Sequence, residues 1–351
     1  MKTFKIQNLI RENIKTLKPY SSARDEFKDF DKKLIFLDAN ENPNENGVNR
    51  YPDPQQKTLK LELSKIKKIN QQQILLGNGS DEVLDLLFRA FCEPNKDNVI
   101  TLPPTYGMYG VLANVNAVEN KEVLLNKDFE PQVDLILSNV DANTKMIFLC
   151  SPNNPTGNSF ADQSIVTLLK NFNGIVVLDE AYIDFSKKES WLQKINEYSN
   201  LVITQTLSKA YGMAGIRLGI LYASVEIIEV LNKIKPPYNI NVLTQSKALE
   251  YISNQSVIEN QIAEIKDQRN LVYTQLLNTN FIKEIYSTDA NFILCKVDDA
   301  NKRYNQLLTN GIVIRNRTND ALCENCLRIT IGTEVENQKL IEILRKLDNN
   351  S

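Results

Sequence analysis

The chain has 351 residues, 42% apolar and 24% charged, with a net charge of −2. This length and balance suit a globular protein of more than one unit and give no electrostatic basis for binding nucleic acid or acidic membrane surfaces. Histidine is absent, which excludes every mechanism built on a histidine base, triad or metal ligand and leaves acid–base work to Lys, Tyr, Asp, Glu or Cys.

The N-terminus carries no secretion signal and no run long enough to cross a membrane, so a cytoplasmic location is expected. The five cysteines (Cys92, Cys150, Cys295, Cys323, Cys326) are odd in number. Cys323-Glu-Asn-Cys326 has no second pair and no histidine to complete a zinc site, so it reads as two reduced thiols and no metal is expected. Residues 1–45 are polar and mixed and read as an N-terminal arm, packing with the small unit or a partner subunit. A proline-stiffened loop, Arg50-Tyr51-Pro-Asp-Pro54, follows, and residues 55–68 have the spacing of an amphipathic helix.

From residue 74 onward, strands and helices alternate. Ile74-Leu-Leu-Gly77 is a short strand feeding the turn Asn78-Gly79-Ser80-Asp81 and a helix over 83–91, with Ser80 or a neighbour as cap. Residues 98–102, 145–150, 174–179 and 201–206 are further apolar strands. Each is followed by a polar motif: Pro-Pro-Thr-Tyr106, Ser151-Pro-Asn-Asn154-Pro-Thr-Gly157, Asp179-Glu-Ala-Tyr182, and Thr206-Leu-Ser208-Lys209. This order predicts an α/β fold with a mostly parallel sheet covered on both faces, whose chemistry gathers at the carboxyl ends of its strands. The pattern changes near Lys235-Pro-Pro237. Residues 240–278 read as long helical structure, followed by strands at 290–297, 311–315 and 327–331, and a final helix. The units expected are therefore an arm (1–45), a large domain (46–235) and a smaller α+β domain (236–351).

Each polar motif has a plain reading and a chemical one. Lys209 is either an exposed loop lysine or an amine that desolvates, lowers its pKa and attacks a carbonyl to form a Schiff base. Asp179, ending a buried strand, is either a cap or salt-bridge partner, or the counter-ion of a protonated pyridine ring. Tyr182 and Asn154 can bond a phenolic oxygen beside that ring. Tyr106 can stack on a flat group or fill the core. The Gly79 turn, the Ser80 and Asp81 backbone, Thr206, Ser208 and Arg217 can hold a phosphate, the helix start supplying free N–H groups and a positive dipole end.

As a set these motifs resemble the fold-type I pyridoxal-phosphate enzymes of the aspartate aminotransferase superfamily, with Asn154, Asp179 and Lys209 in the expected order and spacing. Within it the chain most closely resembles the histidinol-phosphate aminotransferase family, through Leu-Lys-Pro-Tyr20, Asn-Glu-Asn-Pro43, Arg50-Tyr51-Pro-Asp, Gly-Asn-Gly-Ser-Asp-Glu82, Pro-Thr-Tyr-Gly-Met-Tyr109, Thr-Leu-Ser-Lys-Ala-Tyr-Gly-Met-Ala-Gly215 and Leu-Arg328-Ile-Thr-Ile-Gly332. The resemblance implies pyridoxal 5′-phosphate as cofactor, with Lys209 holding it covalently and moving the substrate proton. It gives Asp179 the ring nitrogen, Asn154 and Tyr182 the phenolic oxygen, and Tyr106 the ring face. The cofactor phosphate falls to Gly79, Ser80, Asp81, Thr206, Ser208 and Arg217. It further implies a homodimer in which Tyr51 reaches the partner subunit's cofactor phosphate, and a substrate site of Tyr20, Asn154, Arg315 and Arg328. The reaction implied moves the amino group of glutamate to imidazole-acetol phosphate, giving histidinol phosphate and 2-oxoglutarate. An aromatic amino-acid aminotransferase and a threonine-phosphate decarboxylase of the same superfamily are the alternatives.

Overall fold

The computed structural model describes residues 4–20 and 35–349; residues 21–24, which complete the arm motif after Tyr20, fall outside that range. The large sheet comprises β1 (Ile74–Asn78), β2 (Asn98–Thr101), β3 (Glu119–Glu122), β4 (Thr144–Cys150), β5 (Ile175–Asp179), β6 (Leu201–Thr206) and β7 (Leu218–Tyr222). Their order is β1-β7-β6-β5-β4-β2-β3. The neighbours from β3 to β6 pair in parallel, whereas β7 runs antiparallel to both β6 and β1. Central strands are mostly apolar because both faces are covered. Ile147, Leu149, Val176, Leu178 and Ile203 enter one core, and Met146, Phe148, Ile175, Val177 and Val202 enter the other, as the two-residue alternation of a strand requires.

The helix Gly79–Phe91 packs its Val83, Leu84, Leu87, Phe88 and Phe91 into the second core. Ile6, Ile10 and Ile14, spaced four apart, join the same cluster, and the Arg11 N–H bonds Ala90 O at 3.1 Å. The described start of the arm thus docks on the large unit, because this spacing gives it one apolar edge.

The smaller sheet contains β8 (Ile282–Ile285), β9 (Phe292–Val297), β10 (Arg315–Asn316) and β11 (Cys326–Thr330), antiparallel in the order β10-β11-β9-β8. Ile293, Cys295, Leu327 and Ile329 form its own core with the terminal helix Glu334–Asn349, while Phe292, Leu294 and Cys326 face the first core of the large unit. That second face brings β11 toward the strand ends of the large sheet.

Two of the expected elements take a different form. The helical stretch 240–278 is two helices, Val242–Ile252 and Gln255–Leu277. At the break the Ser253 hydroxyl bonds back to Leu249 O at 2.8 Å and the Asn254 N–H turns to Tyr251 O, the local competition expected of Ser and Asn. The strand at 311–315 pairs only from Arg315, because Gly311 turns at φ +84° and the Ile312 N–H still bonds Leu307 O of the preceding helix. Among the described residues no helix is long and apolar enough to cross a membrane.

Candidate active site

Parallel pairing of β4, β5 and β6 sets Asp179 opposite Cys150 on one side and Thr204 on the other. Asp179 is 3% exposed. Its Oδ2 accepts from the Tyr109 hydroxyl at 2.7 Å and its Oδ1 from the Ala181 N–H at 3.1 Å. Among the described residues no cation lies at ion-pair distance from it. Burial therefore raises its pKa above the usual carboxylate value, although the Tyr109 bond opposes the rise. Glu180 points to the opposite face, where Ser190 Oγ, the Trp191 N–H and Gln205 Nε2 donate to it. It braces the strand end and does not reach the cavity.

Lys209 sits in the turn after β6. The turn is held by Leu207 N–H to Leu218 O (3.1 Å), Met213 N–H to Leu207 O (2.9 Å) and Gly212 N–H to Lys209 O (3.0 Å). The Thr206 hydroxyl works within it, accepting from the Ser208 N–H at 3.1 Å and donating to Leu218 O at 3.3 Å. The Lys209 ammonium lies 5.7 Å from the Tyr182 ring centre. Its pKa is lowered, first by burial and then by Arg328, with Asp179 opposing.

The helix Gly79–Phe91 starts at the cavity edge. Ser80 lies inside its first turn and does not cap it; Glu82 ties the turn instead, accepting from the Asn78 N–H at 2.5 Å. The Ser80 and Asp81 N–H groups have no intrahelical acceptors at this end. Gly79 turns at φ +77°, and a Cβ there would lie 2.5 Å from Arg217 Nη2. Arg217, itself at φ +54°, approaches the helix start because Gly79 is bare, and its Nη2 is 3.9 Å from Asp81 Oδ2. A Cβ on Gly219 would lie 2.3–2.4 Å from Gly79 C, Gly79 O and Ser80 N. All three are backbone atoms and none can swing aside. Gly219→Ala is therefore expected to cost about 1–3 kcal/mol and to weaken cofactor retention. Gly215→Ala, with nothing within 4 Å of its Cβ, should stay within about 0.5 kcal/mol. Parallel denaturant titrations and cofactor dialysis check the pair; equal behaviour would refute this account of Gly219.

Asn154 Oδ1 accepts from Arg328 Nη1, joining β11 to the loop after β4. The Arg328 guanidinium also covers Phe292 at 5.1 Å. Tyr182 is 8% exposed and meets Phe292 edge-on at 5.2 Å. Burial pushes its phenol upward, and Arg328 and Arg317 pull it back. Tyr106 hydrogen-bonds Asp81 Oδ1 at 3.0 Å and stands edge-on to Tyr109.

Ser80, Asp81, Tyr106, Asn154, Asp179, Tyr182, Thr206, Ser208, Lys209 and Arg217, with Cys150 and Ala181, line one cleft. Arg328 reaches its margin through Asn154. Arg315 is exposed but lies opposite Arg328 in the β10–β11 ladder. Tyr51 does not line this cleft. It is 51% exposed, stacked on Tyr238 at 4.4 Å, with its N–H on Glu41 Oε1. Tyr20 is 74% exposed and also stands apart from the cleft. No group of three or more Cys, Asp or Glu side chains that could hold a metal occurs among the described residues. Sequence reasoning gave no role to Tyr109 or Arg317. Tyr109 had a usable signal: it follows Tyr106 by three residues at a helix start, so both share a face. Arg317 had one too, two positions from Arg315 in the same extended run.

Known proteins share this sequence and fold. The family model for aminotransferase class I and II matches residues 23–344. The histidinol-phosphate aminotransferase of Flavobacterium johnsoniae is 68% identical over 349 residues, covering 99% of this chain and 100% of that one. The crystal structure of the Clostridium acetobutylicum histidinol-phosphate aminotransferase superposes with a TM-score of 0.80 at 27% identity, covering 87% of this chain and 92% of its own. That of the Sinorhizobium meliloti enzyme, in complex with pyridoxal-5′-phosphate, gives 0.77 at 21% identity and covers 85% and 83%. The chain belongs to the class I and II aminotransferases and, within them, to the histidinol-phosphate aminotransferase family.

Proposed function

We propose that this enzyme transfers the amino group of glutamate to imidazole-acetol phosphate, giving L-histidinol phosphate and 2-oxoglutarate, as a step in histidine biosynthesis. The observation that carries this is the full-length 68% identity to an enzyme of that name.

The cleft fits pyridoxal 5′-phosphate. Its floor offers a buried carboxyl with no cation partner among the described residues, and its far end a bare-glycine turn with an arginine and a helix start. When bound, the cofactor supplies the electron sink that makes the substrate Cα–H acidic and carries the amine between the two half-reactions. The protein supplies the rest. Asp179 would hold the ring nitrogen protonated, the ring's positive charge restoring the carboxylate that burial disfavours. Asn154 Nδ2 and the Tyr182 hydroxyl would bond the phenolic oxygen, and Tyr106 would cover the ring. Gly79, Ser80, Asp81, Thr206, Ser208 and Arg217 would hold the phosphate end. Lys209, its pKa lowered by burial and by Arg328, would take the Cα proton and return it. Arg328 and Arg315 would bind the anionic groups of the substrates.

The protein would be a homodimer, with Tyr51 acting on the partner subunit's site and Tyr20 on the substrate phosphate. The half-exposed, stacked position of Tyr51 outside its own cleft supports that reading. The chain would divide into an arm (1–45), a large domain (46–235) and a small domain (236–351). The five free cysteines suit a reducing cytoplasm.

The test is amino transfer to 2-oxoglutarate from histidinol phosphate, phenylalanine and tyrosine, with carbon-dioxide release from threonine phosphate measured alongside. Strong preference for histidinol phosphate is expected. Equal use of phenylalanine would make this an aromatic aminotransferase, and carbon-dioxide release a decarboxylase.

A further inference from the structure

β10 and β11 set three arginines in one row. Arg315 lies opposite Arg328, and the Arg317 N–H bonds Cys326 O at 2.8 Å, continuing the ladder by two residues. Period-two alternation puts Arg315, Arg317 and Arg328 on the same face of the small sheet, the face that meets Tyr182 and Asn154. Arg315 is exposed, but Arg317 and Arg328 are half-buried. The Nε of each is buried with no hydrogen-bond partner among the described residues. Arg317 makes one ion pair among those residues, 3.5 Å to Asp320, three positions along and partly exposed. Two neighbouring guanidiniums with buried, unpaired N–H groups are costly unless an anion joins them. Burial lowers the Arg328 pKa, and Arg317 is the next largest cause.

We propose that Arg317 is a specificity residue, forming with Arg328 a two-guanidinium cradle for the dianionic phosphate of the substrate. The proposal rests on the reading of histidinol phosphate as substrate and adds a residue to it. A carboxylate is a monoanion with two oxygens, which one guanidinium fork satisfies. A phosphate dianion has three acceptor oxygens and twice the charge, and two forks suit it. Arg328 is anchored on Asn154 at the cleft and serves both substrates; Arg317, one strand further out, serves the phosphate alone.

The test uses the cofactor-loaded enzyme with Arg317→Gln and Arg317→Lys, and Asp320→Asn for comparison. Separate kcat and KM are measured for histidinol phosphate and glutamate, together with competitive inhibition by inorganic phosphate. Arg317→Gln should raise KM for histidinol phosphate roughly 10- to 100-fold and weaken phosphate inhibition in parallel. KM for glutamate should stay within about twofold, since one fork suffices for a carboxylate. Lysine should recover part of the loss as a point charge. If Arg317 only braces the 318–322 turn, Arg317→Gln and Asp320→Asn will lower the melting temperature alike and leave KM for histidinol phosphate unchanged. That result, or equal losses toward both substrates, overturns the proposal. A wild-type enzyme that rejects histidinol phosphate would defeat the functional reading instead, and weakened phosphate inhibition in Arg317→Gln would still support the cradle.

Discussion

Replacing Lys209 by alanine is expected to lower amino transfer by up to about four orders of magnitude while leaving the melting profile close to wild type. Lys209 makes no side-chain hydrogen bond or ion pair among the described residues; its ammonium stands 5.7 Å from the Tyr182 ring centre. The turn around it is held by backbone bonds and by the Thr206 hydroxyl, so removing the amine removes chemistry and little structure. No histidine is available as a substitute base. Tyr182 is no replacement, since burial raises its phenol above the usual value. Visible absorbance should show that the variant has lost its covalent link to the cofactor, and a cofactor left covalently bound would place the link elsewhere. The lowered pKa of Lys209 also sets a pH dependence. The neutral amine is the competent form, so the rate rises as pH passes upward through that pKa. Arg328 is the largest charge lowering it, so Arg328→Ala should move the acidic limb to higher pH. A limb that stayed in place would show that burial alone tunes the lysine.

Sequence alone reveals the strand ends of this site well, for a physical reason. Strands covered on both faces must be apolar, so a polar residue that ends one, such as Asp179 after Val176-Val-Leu178, stands out against its own run. The same rule hides β7. Leu218-Gly-Ile-Leu-Tyr222 follows the lysine turn with only the 3-10 turn Ala214–Ile216 and no α-helix between, and its antiparallel insertion between β1 and β6 leaves no mark in periodicity. It is also β7 that carries Gly219 against the helix start. β3 is hidden oppositely, since an edge strand reading Glu-Asn-Lys-Glu looks like loop. The roles of Tyr109 and Arg317 go beyond their local sequence signals for a third reason. Each acts through a partner remote in sequence, Asp179 at 2.7 Å across two elements and Arg328 across a ladder. Only folding supplies that proximity.

Asp179→Asn should lower turnover by roughly two to three orders of magnitude with little change in cofactor phosphate binding. The amide keeps the size of the carboxyl and can keep the bond to Tyr109, but it cannot carry the charge that holds a pyridine nitrogen protonated. The loss is therefore electrostatic and should appear in kcat, with an altered visible spectrum. Wild-type kcat in this variant would remove Asp179 from the chemistry. Tyr109→Phe makes a sharper distinction. Tyr109 is fully buried, stacked on Phe148 at 4.9 Å, and its hydroxyl meets Asp179 Oδ2 at 2.7 Å. Deleting that hydroxyl removes a hydrogen bond to a charged group, about 1.5–3 kcal/mol, and should cost roughly 10- to 100-fold in kcat by freeing the carboxylate to turn and raising its pKa further. Phenylalanine keeps the stack on Phe148, so the fold should persist. Since the deleted hydroxyl reaches the ring by way of Asp179, and phenylalanine keeps the edge-on contact with Tyr106, the two losses should not add. Asp179→Asn with Tyr109→Phe should be no slower than Asp179→Asn alone within about threefold. A double variant slower by the product of both single losses would mean that Tyr109 acts on the reaction by a route of its own.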